Sequence, residues 1–86
     1  MTYEVRIRRQ AQRKLQSLPK QERFRIAEKI HQLGENPDDD GLDTKRLTGT
    51  PLYRLRVGDW RIIYDRQDAI KVISVEKLKP RGDAYK

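Results

Sequence analysis

The segment Tyr53-Arg54-Leu55-Arg56-Val57-Gly58-Asp59-Trp60-Arg61-Ile62-Ile63-Tyr64 leaves little freedom in how it folds. Apolar and basic residues alternate on both sides of Gly58-Asp59, the period of two half-buried strands joined by a two-residue loop. In that register Val57 faces Trp60, Arg56 faces Arg61, Leu55 faces Ile62 and Tyr53 faces Tyr64. Tyr53, Leu55, Val57, Trp60, Ile62 and Tyr64 then form the face that buries, and Arg54, Arg56 and Arg61 share the other. By the same alternation Trp60 and Tyr64 belong to a core rather than to a base-stacking platform. Arg56 directly across from Arg61 is an unfavourable pair, repelling at about 5 Å by on the order of one to a few kcal/mol. Folding alone gives no reason for that placement. A phosphodiester between the guanidiniums turns the repulsion into affinity, because arginine forks match phosphate oxygens bidentately. No carboxylate shares this face of the hairpin before Asp65.

At 86 residues the chain is expected to be one domain, 1–86, with a single core burying roughly 60% of the unfolded surface. Its net charge of +7 is lopsided: residues 1–43 are nearly balanced, and residues 44–86 carry eleven Lys and Arg against five Asp and Glu. A basic half-chain implies a polyanionic partner, most often nucleic acid. Cysteine is absent and His31 is the one histidine. Thiolate catalysis, disulfides and metal sites built on paired histidines are therefore excluded, and acid–base chemistry near neutrality falls to Lys, Tyr, a carboxylate or the substrate. No apolar run approaches a membrane span, and no signal-peptide core is seen, so a soluble, cytoplasmic protein is expected.

Tyr3, Val5 and Ile7 alternate with Glu4, Arg6 and Arg8 as a first strand. Ala11, Leu15 and Leu18 then take helical spacing up to Pro19, and a second helix runs to about Leu33 with two seams, Phe24-Ala27-His31 and Ile26-Ile30-Leu33. Gly34, Asn36 and Pro37 are read as its stop. Asp38–Asp40 with Asp43 lacks the spacing of a calcium loop and reads as a solvated turn. After the hairpin, a turn near Arg66 to Asp68 feeds a third strand from Ala69 to Val75, and Glu76 onward reads as a polar tail. The expected fold is α+β: an N-terminal strand, a helical hairpin and a three-stranded antiparallel meander, giving one small sheet with helices on one face. Lys79, Arg81 and Tyr85 in the tail form a second basic group, with an aromatic ring able to stack on an unpaired base.

Lys45-Arg46-Leu47-Thr48-Gly49, the hairpin, and Pro80-Arg81-Gly82-Asp83-Ala84-Tyr85 together resemble the RelE/ParE toxin superfamily, its RelE branch most closely, over essentially the whole chain. The resemblance implies a toxin of a type II toxin–antitoxin pair that enters the ribosomal A site and cuts messenger RNA without a metal or other cofactor. It implies a cognate antitoxin, no membrane partner, and operator DNA contact only through the antitoxin complex. Carried over by position, Arg54, Arg56, Arg61, Arg81 and Tyr85 match the family's catalytic residues, with Lys79 competing with Arg81 for the C-terminal cation. Lys45, Arg46, Lys77 and Lys86 are expected as further RNA contacts. Where relatives carry lysines, this chain has Arg54 and Arg56, and arginine is a poor base. The reaction expected is attack of a ribose 2′-hydroxyl on its own 3′-phosphate, with Arg61 and Arg81 stabilising the phosphorane. Two other functions fit the same scaffold: a ParE-like inhibitor of DNA gyrase and a non-catalytic RNA-binding module.

Overall fold

The computed structural model describes residues 2–80. A first strand, β1 (Glu4–Ile7), turns half-buried Val5 and Ile7 inward and leaves Glu4 and Arg6 outside, paired at 2.7 Å. Helix α1 (Arg9–Gln16) buries Ala11 and Leu15, one turn apart, and gives way at Ser17 before Pro19 opens α2 (Lys20–Glu35). Of the two seams on α2, the one that buries is Ile26-Ile30-Leu33. Phe24, Ala27 and His31 face solvent, Phe24 at 72% exposure. At 100° per residue Phe24 lies 200° from Ile26, so the helix cannot bury both.

Gly34 is not the stop that its residue type suggests. The helix continues through it to Glu35, and extended backbone at Asn36, ahead of Pro37, ends it. Gly34 is instead where α2 and β1 touch: its carbonyl accepts from Tyr3 N–H at 2.6 Å, and a Cβ there would lie 2.6 Å from Val5 Cγ2.

Four strands follow, β2 (Asp43–Arg46), β3 (Leu52–Val57), β4 (Trp60–Gln67) and β5 (Val72–Pro80). The sheet order is β1-β5-β4-β3-β2, with β1 parallel to β5 and all other pairs antiparallel. The expected α+β sheet with helices on one face is present, enlarged by β2. That strand, Asp-Thr-Lys-Arg, has no apolar alternation to reveal it; it is an edge strand closed onto β3 by a turn in which Gly49 takes φ 80°.

The last strand begins and ends later than Ala69–Val75. Asp68 to Lys71 form the turn, Lys71 at φ 56°, and Glu76 to Pro80 belong to the strand, not to a tail. The cause is a β-bulge between Ile63 and Tyr64: Tyr64 opposes Val75 and Ile63 opposes Lys77, leaving Glu76 as the extra residue. Ile73, Val75 and Leu78 are all buried, a spacing that strict alternation cannot give. The inserted residue resets the phase, so Leu78 points into the core and Lys77 and Lys79 point out of the opposite face. The core between sheet and helices centres on Ile26, Leu33, Leu55, Ile62, Tyr64, Ile73 and Val75.

Candidate nucleic-acid interface

The β3–β4 hairpin has the register its alternation predicts: Val57 opposite Trp60, Arg56 opposite Arg61, Leu55 opposite Ile62 and Tyr53 opposite Tyr64. Gly58 takes φ 58°, the positive value that the first position of such a loop requires. On the helix-free face two cross-strand rows run over four strands. One is Asp43, Arg56, Arg61, Lys79; the next is Lys45, Arg54, Ile63, Lys77. Strands lie about 4.8 Å apart and alternate residues about 6.7 Å, so six cations occupy a patch of roughly 14 by 7 Å.

The three arginines differ in their surroundings. Arg56 is exposed, whereas Arg54 is 9% and Arg61 only 4% exposed. Ile63, directly opposite Arg54, is also buried, an apolar floor under the arginine stems that the alternation assigned to the solvated face. Arg61 Nη1 donates to the Trp60 carbonyl at 3.4 Å, and its buried Nε has no acceptor among the described residues. Arg54 Nη2 lies 3.7 Å from Asp43 Oδ1, close enough to lower the local potential and too far for a hydrogen bond. Asp43 is the one carboxylate in these two rows; it belongs to the edge strand β2 and not to the solvated turn that its acidic neighbours suggest. A Thr-Gly-Thr-Pro turn between Arg46 and Leu52 was the available signal for that strand.

Lys45, Lys77 and Lys79 join Arg54, Arg56 and Arg61 on this face, with Lys79 directly opposite Arg61. Arg46 does not: it opposes Tyr53 and so points to the other side of the sheet. Arg81, Tyr85 and Lys86 lie outside the described residues. His31 is on the exposed seam of α2, 3.3 Å from Glu35, far from this arrangement in the fold.

A second charged cluster is structural. Arg66 reaches both carboxylate oxygens of Asp38, at 2.8 and 2.9 Å, and Asp68 at 2.7 Å, while Tyr3 Oη donates to Asp68 at 2.9 Å. The Arg66 guanidinium holds the Asp38 and Asp68 carboxyls below the usual carboxylate range, and their charges raise the pKa of Arg66. Asp38 therefore ties the acidic loop to β4, a role its solvated-turn reading did not include. Burial pushes the Tyr64 hydroxyl up to about 12, and its ring stacks on Tyr53 at 5.6 Å. The tyrosines build the core side of the hairpin.

Chemically, the open face offers fixed positive charge, forked donors and almost no competing acid. That suits phosphate oxygens whose charge grows during a displacement.

A family model described as ParE toxin of type II toxin–antitoxin system, parDE, matches residues 5–85. A curated protein of Methanocaldococcus jannaschii, named as a candidate RelE1 toxin, is 32% identical over all of this chain and 98% of its own length. A chain of the archaeal RelE–RelB complex from Pyrococcus horikoshii superposes with a TM-score of 0.83 at 44% identity, covering 95% of this chain and 98% of that one. The intact RelBE complex of E. coli shares the fold, with a TM-score of 0.77 at 19% identity over 94% of this chain and 98% of that one.

Proposed function

The chain belongs to the ParE family of type II toxins, within the RelE/ParE superfamily, and from that premise we propose that it is a RelE-like, ribosome-dependent endoribonuclease. One observation carries the reading: Arg61 is 4% exposed, has an unsatisfied Nε among the described residues, and stands between Arg56 and Lys79 in a single cross-strand row. A buried guanidinium with like charges on both sides is costly to the fold, and it is well suited to an anion arriving from outside.

In the proposed reaction the 2′-oxygen attacks the adjacent phosphorus and loses its proton. The bond to the 5′-oxygen breaks, and that oxygen takes up a proton. The products are a 2′,3′-cyclic phosphate and a free 5′-hydroxyl. Arg61 and Arg56 bind the non-bridging oxygens as their charge grows, Lys79 supports them from β5, and Arg54 orients the ribose end. Guanidiniums stay protonated throughout the accessible pH range, so these residues work by charge and position and another group takes the proton. The ribosome would supply much of the substrate alignment, which predicts little activity on free RNA. A cognate antitoxin fits the same picture. Relatives are seen in RelE–RelB complexes, and an acidic segment is the natural occupant of a six-cation face.

Mapping transcript ends in a translating extract tests the reading: cuts within A-site codons support it. Arg61→Ala is expected to abolish those cuts and largely spare ribosome binding, since many phosphate contacts remain. The matched family's ParE description favours one other reading, gyrase inhibition. Gyrase-dependent DNA breaks with intact messages would establish it instead.

A further inference from the structure

β1 pairs with β5 only as far as Val75, where Arg8 N–H donates to the Val75 carbonyl and the chain turns away into α1. Among the described residues the last part of β5 is thereby left with an open flank, and α1 forms the opposite wall. The resulting groove, about 790 Å³, is lined by Arg9, Arg13 and Lys14 from the helix and Lys77 and Lys79 from the strand. Among the described residues no carboxylate lines it. Arg9 and Arg13 are one helical turn apart on a single stripe, and Lys14 is held with its ammonium 5.7 Å over the Trp60 ring. Lys77 and Lys79 stand about 6.7 Å apart along the strand.

From this juxtaposition we infer that the α1–β5 groove is a second track for an RNA phosphodiester backbone, continuous with the arginine face through Lys77 and Lys79. The inference rests on the RNA-directed reading of that face. Three features favour RNA over an acidic protein segment. The groove has two parallel files of cations, spaced on the scale of successive phosphates. Among the described residues it has no exposed apolar anchor beyond Pro80, since Leu78 is buried, and protein partners dock through such anchors. Its two lysines also belong to the open face, so one strand can pass from the scissile phosphate over the β5 flank and along α1 without leaving positive potential. The guanidiniums of Arg9 and Arg13 make no hydrogen bond or ion pair among the described residues. Arg13 lies in the last turn of α1, where a cation favours the helix C-terminus, and Arg9 lies in its first turn, where a cation does not.

The test is an Arg9→Gln/Arg13→Gln variant of the full chain, with Lys14 and its contact to Trp60 retained and folding checked by thermal melting. Binding of a labelled oligouridylate is followed against salt, and cleavage is followed on programmed ribosomes. Two lost phosphate contacts lower the slope of log K against log salt by about 1.4, at about 0.7 each. The cleavage rate at saturating protein stays at the wild-type value. An unchanged slope, no oligouridylate binding by the wild type, or a reduced saturating rate at unchanged affinity overturns the track. So does weakened binding of polyglutamate with RNA binding intact, which would give the groove to a protein. The two readings fail separately. A wild type that cuts no message but whose RNA slope the variant lowers leaves the groove and removes the nuclease; normal cutting with an unaltered slope does the reverse.

Discussion

Replacing Arg61 by methionine should make the protein more stable as it abolishes activity. Methionine keeps an unbranched stem above Ile63 and removes the guanidinium. At 4% exposure the Arg61 Nε lacks an acceptor among the described residues, an omission that costs about 1–3 kcal/mol. The charge also sits directly between Arg56 and Lys79, and relieving each repulsion is worth on the order of 1 kcal/mol at the surface dielectric. Against this stand the weak 3.4 Å bond to the Trp60 carbonyl and packing lost with the shorter side chain, about 1 kcal/mol together. The net expectation is a gain of about 2–4 kcal/mol. For a domain of this size that raises Tm by about 10–25 °C. Thermal unfolding followed by circular dichroism at low phosphate reads it directly. Adding inorganic phosphate should raise the Tm of the wild type and barely move the variant, because only the former has the anion site. A variant that melts lower than wild type in phosphate-free buffer would refute the reasoning, since Arg61 would then be a structural residue whose charge the fold needs.

Gly34→Ala gains up to about 1 kcal/mol of helix propensity but drives a Cβ to 2.6 Å from Val5 Cγ2, an overpacking cost of about 1–3 kcal/mol; urea titration should show a net loss. The Arg66 cluster sets an acid limit. Asp38 and Asp68 titrate below their ordinary value of 3.8 in the folded chain, so their contribution is full above that value and disappears as the pH falls through the folded-state pKa values. An Asp38→Asn/Asp68→Asn variant should melt lower than wild type at pH 6 and converge with it near pH 2, as followed by Tm against pH.

What could be read from the residues alone was whatever one period describes. The hairpin register followed from twelve residues because alternation and a Gly-Asp loop specify the same pairing. β2 is not legible because an edge strand of Asp, Thr, Lys and Arg buries almost nothing, and without it Asp43 reads as part of a solvated turn and not as the acid beside Arg54. The choice between the two seams of α2 depended on which stripe met the sheet, a tertiary fact that no helical period contains. Burial of Arg61 and Ile63 on the face assigned to solvent is of the same kind. Gly34 reads as a stop because a glycine near a helix end has two physical uses, termination and close approach, and only the neighbouring strand distinguishes them.

The extra residue at Glu76 divides β5 into two lengths that answer to different selective demands. Before it, substitutions are judged by how they fill space beneath the helices. After it, every second position is judged by what it presents to a ligand. Deleting that one residue would leave Val75, Lys77 and Leu78 on their present faces in unbroken alternation, whereas one residue inserted after Lys77 would turn Leu78 out and Lys79 inward. In sequence comparisons across this strand a gap at Glu76 therefore alters the bulge alone, and a gap beyond it alters which side chains face the helices.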